Sequence, residues 1–296
     1  MKKILFTLLH IILAFSVWAN GSDVIVDALQ KYISGKDARI GVAVVTSEGI
    51  VFGVNQYEEY PMLSVVKFPV VLAVAKRVKE NNGSFADSLY VDKAMLHNDT
   101  YSPMLQKYPN TESHRIAIVE LVDYAMRVSD NNACDILMDF VGGASVVDGY
   151  IKELGIEGIN VKWDENEMHL DEERFRENTS TPMAMAQLMF KFDNDFEDVN
   201  SLNIKEIMES CETGTDRLAK SLISTNAVIG HKTGTGPIDK KTGRLMAVND
   251  AGYIHLSNGK RYSIAVFIAD SGYSMAETSA IIAKISEIVR DGLIVQ

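Results

Sequence analysis

One apolar run with a lysine inside it constrains this chain more than any other feature. Pro61-Met62-Leu63-Ser64-Val65-Val66-Lys67-Phe68-Pro69-Val70-Val71 continues to about Ala75, and no acid appears until Glu80. Such a run predicts a buried helix, and Ser64 and Lys67 then share one face about one turn apart. Burying a lysine is costly without a partner, because desolvation disfavours its charged form. A buried lysine beside a hydroxyl is therefore a candidate for activating that hydroxyl as a nucleophile. At a helix start, free backbone N–H groups and the helix dipole also favour developing negative charge. The plainer alternative is an N-capping serine followed by a lysine that snorkels to solvent.

The rest of the chain supplies a frame for that helix. The periodicity predicts a surface helix over 23–33, then a hairpin of Arg39–Thr46 and Ile50–Val54 around Ser47-Glu48-Gly49. A helical stretch follows over 116–140, interrupted by the polar Ser129-Asp130-Asn131-Asn132. Helices are predicted over 146–154, over 181–192 with Pro182 in the first turn, and over 204–211. The acidic segment 158–178 has weak periodicity and reads as a loop. Its length points to function, because long loops in compact domains are seldom mere connectors. Strands are predicted over 227–236, 247–256 and 262–269, and an amphipathic helix over 274–289 closes the chain. The order implies an α/β fold: an antiparallel sheet built from both chain ends, flanked by the terminal helices, with an inserted all-helical lobe. The expected division is residues 20–61 with 212–296 for the α/β lobe and 62–211 for the helical one.

Lys2 and Lys3, the apolar segment 4–18 and Val17-Trp18-Ala19 read as a secretory signal cleaved after Ala19, which implies a secreted, periplasmic protein. An uncleaved anchor is the alternative. Without Lys2 and Lys3, 27 basic residues face 40 acidic ones, a net charge of −13. That balance argues against a nucleic-acid partner or an anionic membrane surface. Cys134 and Cys211 are the only cysteines. Buried free thiols are favoured over a disulfide. No His, Cys and carboxylate cluster has metal-ligand spacing, and no cofactor is called for. A monomer is the default.

Two further short motifs follow the helix: Ser129-Asp130-Asn131 and Lys232-Thr233-Gly234. S-x-x-K, S-D-N and K-T-G in this order form a signature of class A β-lactamases and penicillin-binding proteins. With the acidic loop around Glu165, nearly all of the chain after residue 19 resembles a class A serine β-lactamase, similar to the Bacteroides-type cephalosporinase branch.

The resemblance implies a role for each residue. Ser64 is the nucleophile, and Lys67 its neighbour and a possible base. Ser129 passes a proton to the lactam nitrogen, and Lys232 holds that hydroxyl. Asn131 offers its amide to the substrate's acylamide carbonyl. The backbone N–H groups of Ser64 and Thr235 form an oxyanion hole, in which losing one donor costs about 3–4 kcal/mol. Thr233 and Thr235, on one face of a strand with Gly234 between them, bind the substrate carboxylate. Glu165 activates the water that clears the acyl-enzyme. Asp164 and Glu167, one and two residues away in the same acidic run, are alternatives for this role, and a solvated loop is the plainer reading. Arg217 supplies a guanidinium near the carboxylate, against a surface arginine. Tyr101 forms an aromatic wall at the cleft mouth. His231 is read as structural. His169, Asp135 and Trp163 depart from many class A enzymes and leave the loop's conformation open.

The competing function is a penicillin-binding peptidase or a lactam-sensing receptor domain, acylated at Ser64 without turnover. Glu165 and the compact length favour the hydrolase.

Overall fold

The computed structural model describes residues 21–295. The expected signal peptide, residues 1–19, lies outside them. A helix over 21–33 (α1) leads into β1 (Arg39–Thr46) and β2 (Val51–Val54). Near the other end come β3 (Val228–Thr235), β4 (Leu245–His255), β5 (Arg261–Ser271) and a helix over Met275–Val295. These strands form one antiparallel sheet in the order β2-β1-β5-β4-β3. The first and last thirds of the chain therefore meet at its centre, where Arg39 faces Ala269 and Thr46 faces Tyr262.

Both faces of the sheet are covered, which explains why β1 reads as a continuous apolar run rather than an alternation. Val42 and Val44 join a core with Ile25 and Leu29 of α1 and Ile282, Ile285 and Val289 of the C-terminal helix. Their neighbours Ala43 and Val45 point to the opposite core, with Tyr60, Val70 and Met185. Period-two alternation thus splits one strand between two cores.

The middle of the chain supplies α2 (Lys67–Glu80), α3 (Ile118–Arg127), α4 (Asn131–Val141), α5 (Ala144–Glu153), α6 (Glu165–Leu170), α7 (Pro182–Asp195) and α8 (Val199–Glu209). The C-terminal helix is α9. The segment expected to be wholly helical also carries strand pieces. Ser88–Val91 pairs with His114–Ala117, and Thr179–Ser180 pairs with both Tyr60–Pro61 and Ile159–Asn160. The predicted helix over 116–140 is two helices. Ser129 breaks it with φ +63°, and Asp130 restarts it by accepting the Ala133 N–H at 2.9 Å. The acidic loop holds α6 and a short 3-10 turn over Arg174–Arg176. Asp164 caps α6 by accepting the Glu167 N–H at 2.7 Å, and two acids in the first turn suit the helix dipole. No helix among the described residues is long and apolar enough to cross a membrane.

Candidate active site

Ser64 lies in a 3-10 turn, Leu63–Val66, that runs directly into α2. Leu63 takes φ +48°, a conformation that costs a branched residue energy and that the surrounding packing maintains. The turn packs against β3, the edge strand of the sheet. Only glycine fits at 234, because a Cβ there would stand 2.4 Å from the Met62 carbonyl oxygen. From β4, the Asn249 amide donates to the Pro61 and Met62 carbonyls at 2.7 and 3.1 Å. Strand and nucleophile turn are thereby clamped together.

Lys67 is fully buried. Its ammonium has three hydrogens and finds three acceptors: Ser64 Oγ at 2.8 Å, Asn131 Oδ1 at 2.8 Å and Glu165 Oε1. Ser64 O–H in turn donates to Glu165 Oε1 at 3.4 Å. Glu165 is 2% exposed and arrives from a loop about a hundred residues away. On the other side, Lys232 of β3 donates to Ser129 Oγ at 3.0 Å and to the Thr233 carbonyl at 2.9 Å. Burial, reinforced by the charge of Lys67, pushes the Lys232 ammonium down to about 8. Gly236 N–H donates to the Ala247 carbonyl at 2.8 Å, so the preceding pair, Thr235 with Val248, is of the non-hydrogen-bonded kind. The Thr235 N–H therefore points to the open edge of the sheet. A cleft of about 300 Å³ is lined by Ser64, Tyr101, Ser129, Asn131, Glu165, Thr233 and Thr235, among others.

A model of the β-lactamase enzyme family matches residues 25–293. The chain is 35% identical over 269 residues to a β-lactamase of Bacteroides uniformis, covering 90% of each chain. It is 33% identical to β-lactamase VEB-1 of Pseudomonas aeruginosa, covering 97% of this chain and 96% of that one. Among solved structures, the TLA-1 extended-spectrum β-lactamase matches with a TM-score of 0.88 at 37% identity, covering 93% of this chain and 99% of that one. A class A β-lactamase from Bacteroides cellulosilyticus DSM 14838 has the same TM-score at 35% identity, with the same coverage. The chain belongs to the class A β-lactamases.

In this β-lactamase the remaining sequence-derived residues fall in different places. Tyr101 is 60% exposed on the cleft rim, and its carbonyl accepts the Asn131 N–H. Arg217 is not a surface residue. It is 5% exposed and donates to the Gly234 and Asn249 carbonyls and to Thr235 Oγ1 at 3.0, 2.8 and 2.7 Å. Its guanidinium braces two strands and reaches the cleft beside Thr235. His231 forms a buried pair with Asp250 at 2.8 Å. Cys134 and Cys211 are both free; Cys134 is fully buried, whereas Cys211, just past the end of α8, is half-buried.

The three departures in the acidic loop each find a partner. Asp135 accepts the Glu165 and Asn166 N–H groups at 2.7 and 3.0 Å. His169 Nδ1 bonds the Glu165 carbonyl at 2.5 Å. Trp163 donates Nε1–H to Glu177 at 3.1 Å, and its main chain is held by Asn178. Sequence reasoning missed Asn249, Phe175 and Thr213. Phe175 and Thr213 line the cleft, and Thr213 bonds the Thr233 hydroxyl at 2.6 Å. The Asn249-Asp250 pair inside an apolar strand was the available signal for the first.

Proposed function

We propose that this enzyme hydrolyses the β-lactam amide through an ester on Ser64 that water clears with Glu165 as base, acting on penicillins and preferentially on cephalosporins. The observation that carries the reading is the buried contact of one ammonium with both the Ser64 hydroxyl and the Glu165 carboxylate. The Ser64 O–H donates to Glu165 Oε1, and Lys67 touches both groups. The lysine–carboxylate pair takes up the Ser64 proton in acylation, and Lys67 stays beside Ser64 Oγ to accept it even where the carboxylate is replaced.

Ser64 Oγ attacks the lactam carbonyl carbon, and the oxyanion forms against the N–H groups of Ser64 and Thr235. The C–N bond breaks as Ser129 delivers its proton to the departing nitrogen, with Lys232 supporting the hydroxyl. The proton taken from Ser64 then passes from the Lys67–Glu165 pair to Ser129, which frees the carboxylate for the second half. In the second half, water attacks the ester carbon, its proton passes to Glu165, and the C–O bond breaks to return the proton to Ser64. Asn131 keeps one amide hydrogen on Thr100 Oγ1 at 2.8 Å, which leaves the other for the substrate's acylamide carbonyl. Thr233, Thr235 and the adjacent Arg217 meet the substrate carboxylate. The cephalosporin preference is supported by the resemblance to the cephalosporinase branch. The leader-like residues 1–19 support export to the periplasm, and the protein acts there as a monomer.

A chromogenic cephalosporin tests the reading directly. Many turnovers per chain are expected. A single stoichiometric burst would instead assign the protein to the acylated, non-hydrolysing class.

A further inference from the structure

Glu165 is held by its main chain as well as by Lys67. Asp135 takes its N–H, and His169 donates to its carbonyl, so the hydrogen on that imidazole sits at Nδ1. The His169 ring packs edge-on against Phe175, with centroids 4.9 Å apart and planes at 75°. Phe175 stands in the 3-10 turn between two anchored arginines. The Arg174 guanidinium lies 4.2 Å from the Trp163 ring centroid. Arg176 spans two acids, donating Nη2–H to Asp239 at 2.8 Å and Nη1–H to Asp270 at 2.9 Å. Asp239 belongs to the β3–β4 connection, where it also accepts the Lys241 and Thr242 N–H groups. Asp270 lies at the end of β5 with φ +50°. A single side chain thus ties the acidic loop to two separate parts of the sheet.

We propose that Arg176 is a positioning residue for deacylation: through Phe175 and His169 it holds the Glu165 main chain where its carboxylate reaches the ester on Ser64. The inference rests on the reading of Glu165 as the hydrolytic base. An exposed ion pair would carry little weight, but Arg176 is part-buried and makes two charge-assisted bonds in fixed directions. The Arg176 guanidinium also holds the Asp239 carboxyl down at about 2, so the tie persists across the working pH range. Misplacing a reacting group by about 1 Å costs up to ~10²-fold in rate, so a slackened loop is visible in turnover.

Steady-state and burst kinetics on Arg176→Ala, Arg176→Lys and Phe175→Leu provide the test. In Arg176→Ala, kcat is expected to fall about tenfold with KM falling in parallel, leaving kcat/KM within about threefold of the parent. The ester on Ser64 then accumulates, and a product burst of one equivalent appears. Arg176→Lys recovers part of the loss, and Phe175→Leu reproduces the pattern without touching the ion pairs. Lys241→Ala, which removes only the exposed pair with Glu173, leaves both constants unchanged. Parent-like kcat in Arg176→Ala and Phe175→Leu, or a loss in kcat/KM as large as that in kcat, would overturn the proposal. Glu165→Gln separates the two readings: if it accumulates no ester, the base assignment fails, whatever Arg176 does.

Discussion

Two lysines are completely buried at this site, and their surroundings are opposite. Lys67, at the start of α2, has three side-chain acceptors, one of them a carboxylate, and Asp135 and Asp164 lie nearby. Lys232, on β3, has a hydroxyl and a carbonyl. Around it lie Arg217, which braces the same strand, and the buried His231–Asp250 pair, in which His231 is raised to about 10, the Asp250 carboxylate and Cys211 prevailing over burial. The helical side is neutralised by pairing. The strand side keeps surplus positive charge. The first setting suits a group that steadies a proton transfer, and the second suits one that meets a substrate anion. The same residue type serves two purposes because the fold gives one ammonium a carboxylate acceptor and the other only a hydroxyl and a carbonyl.

The largest effect should come from breaking the paired side. Lys67→Met leaves Glu165 buried without its cation and Ser64 without its donor. A loss of about 10³-fold in kcat/KM is expected, the scale of losing a positioned acid–base group. A variant within tenfold of the parent would make the pairing merely structural.

Much of this contrast was legible in the sequence, for a physical reason. Ser64 with Lys67, Ser129 with Asn131, and Lys232 with Thr235 are local pairs, and local spacing survives into a helix turn or a strand. What brings them together is not local. Lys232 meets Ser129 across 103 positions, and Asn249 reaches Met62 across 187. Composition carries no trace of such closures. The acidic run shows the same division. Three acids in four residues, Asp164, Glu165 and Glu167, were told apart in the sequence only by the resemblance, which favours Glu165. The structure separates them, because Asp164 is spent capping α6 while Glu165 turns inward to Lys67. Arg217 was read as either a ligand for carboxylate or a surface charge. It is not on the surface, and besides reaching the cleft it braces the sheet, because two backbone carbonyls on neighbouring strands converge on its guanidinium.

Asp135 sharpens the comparison on the acid-rich side. Burial, then the nearby charges of Glu165 and Asp164, push its carboxyl up to about 8. Between its ordinary value and about 8 the folded state holds a proton that the unfolded chain has released. Stability from this group is therefore greatest at low pH and declines as pH rises toward 8. Asp135→Asn removes that slope. Chemical denaturation at pH 5 and pH 8 should show the pH-dependent loss shrinking by up to roughly 3–4 kcal/mol in the variant, since each pH unit in the window is worth about 1.4 kcal/mol. An unchanged slope would place the proton elsewhere.

The smallest effect, and the sharpest test of the strand side, lies in the alkaline limb of activity. Lys232 holds its proton only up to about pH 8, because burial and Lys67 both work against its charge. As pH rises past that value, Ser129 loses a charged donor and the cleft loses its fixed cation. For the free enzyme, kcat/KM should fall about tenfold per unit above pH 8. A bound substrate carboxylate stabilises the ammonium, so the limb in kcat should lie at higher pH than the limb in kcat/KM. Lys232→Arg keeps the charge at any working pH and should move the kcat/KM limb upward while lowering its plateau, because the planar fork does not reproduce the ammonium's contact with Ser129. If parent and variant shared one limb, the titrating group would not be Lys232, and the surplus charge on β3 would have to be carried by Arg217 and His231 alone.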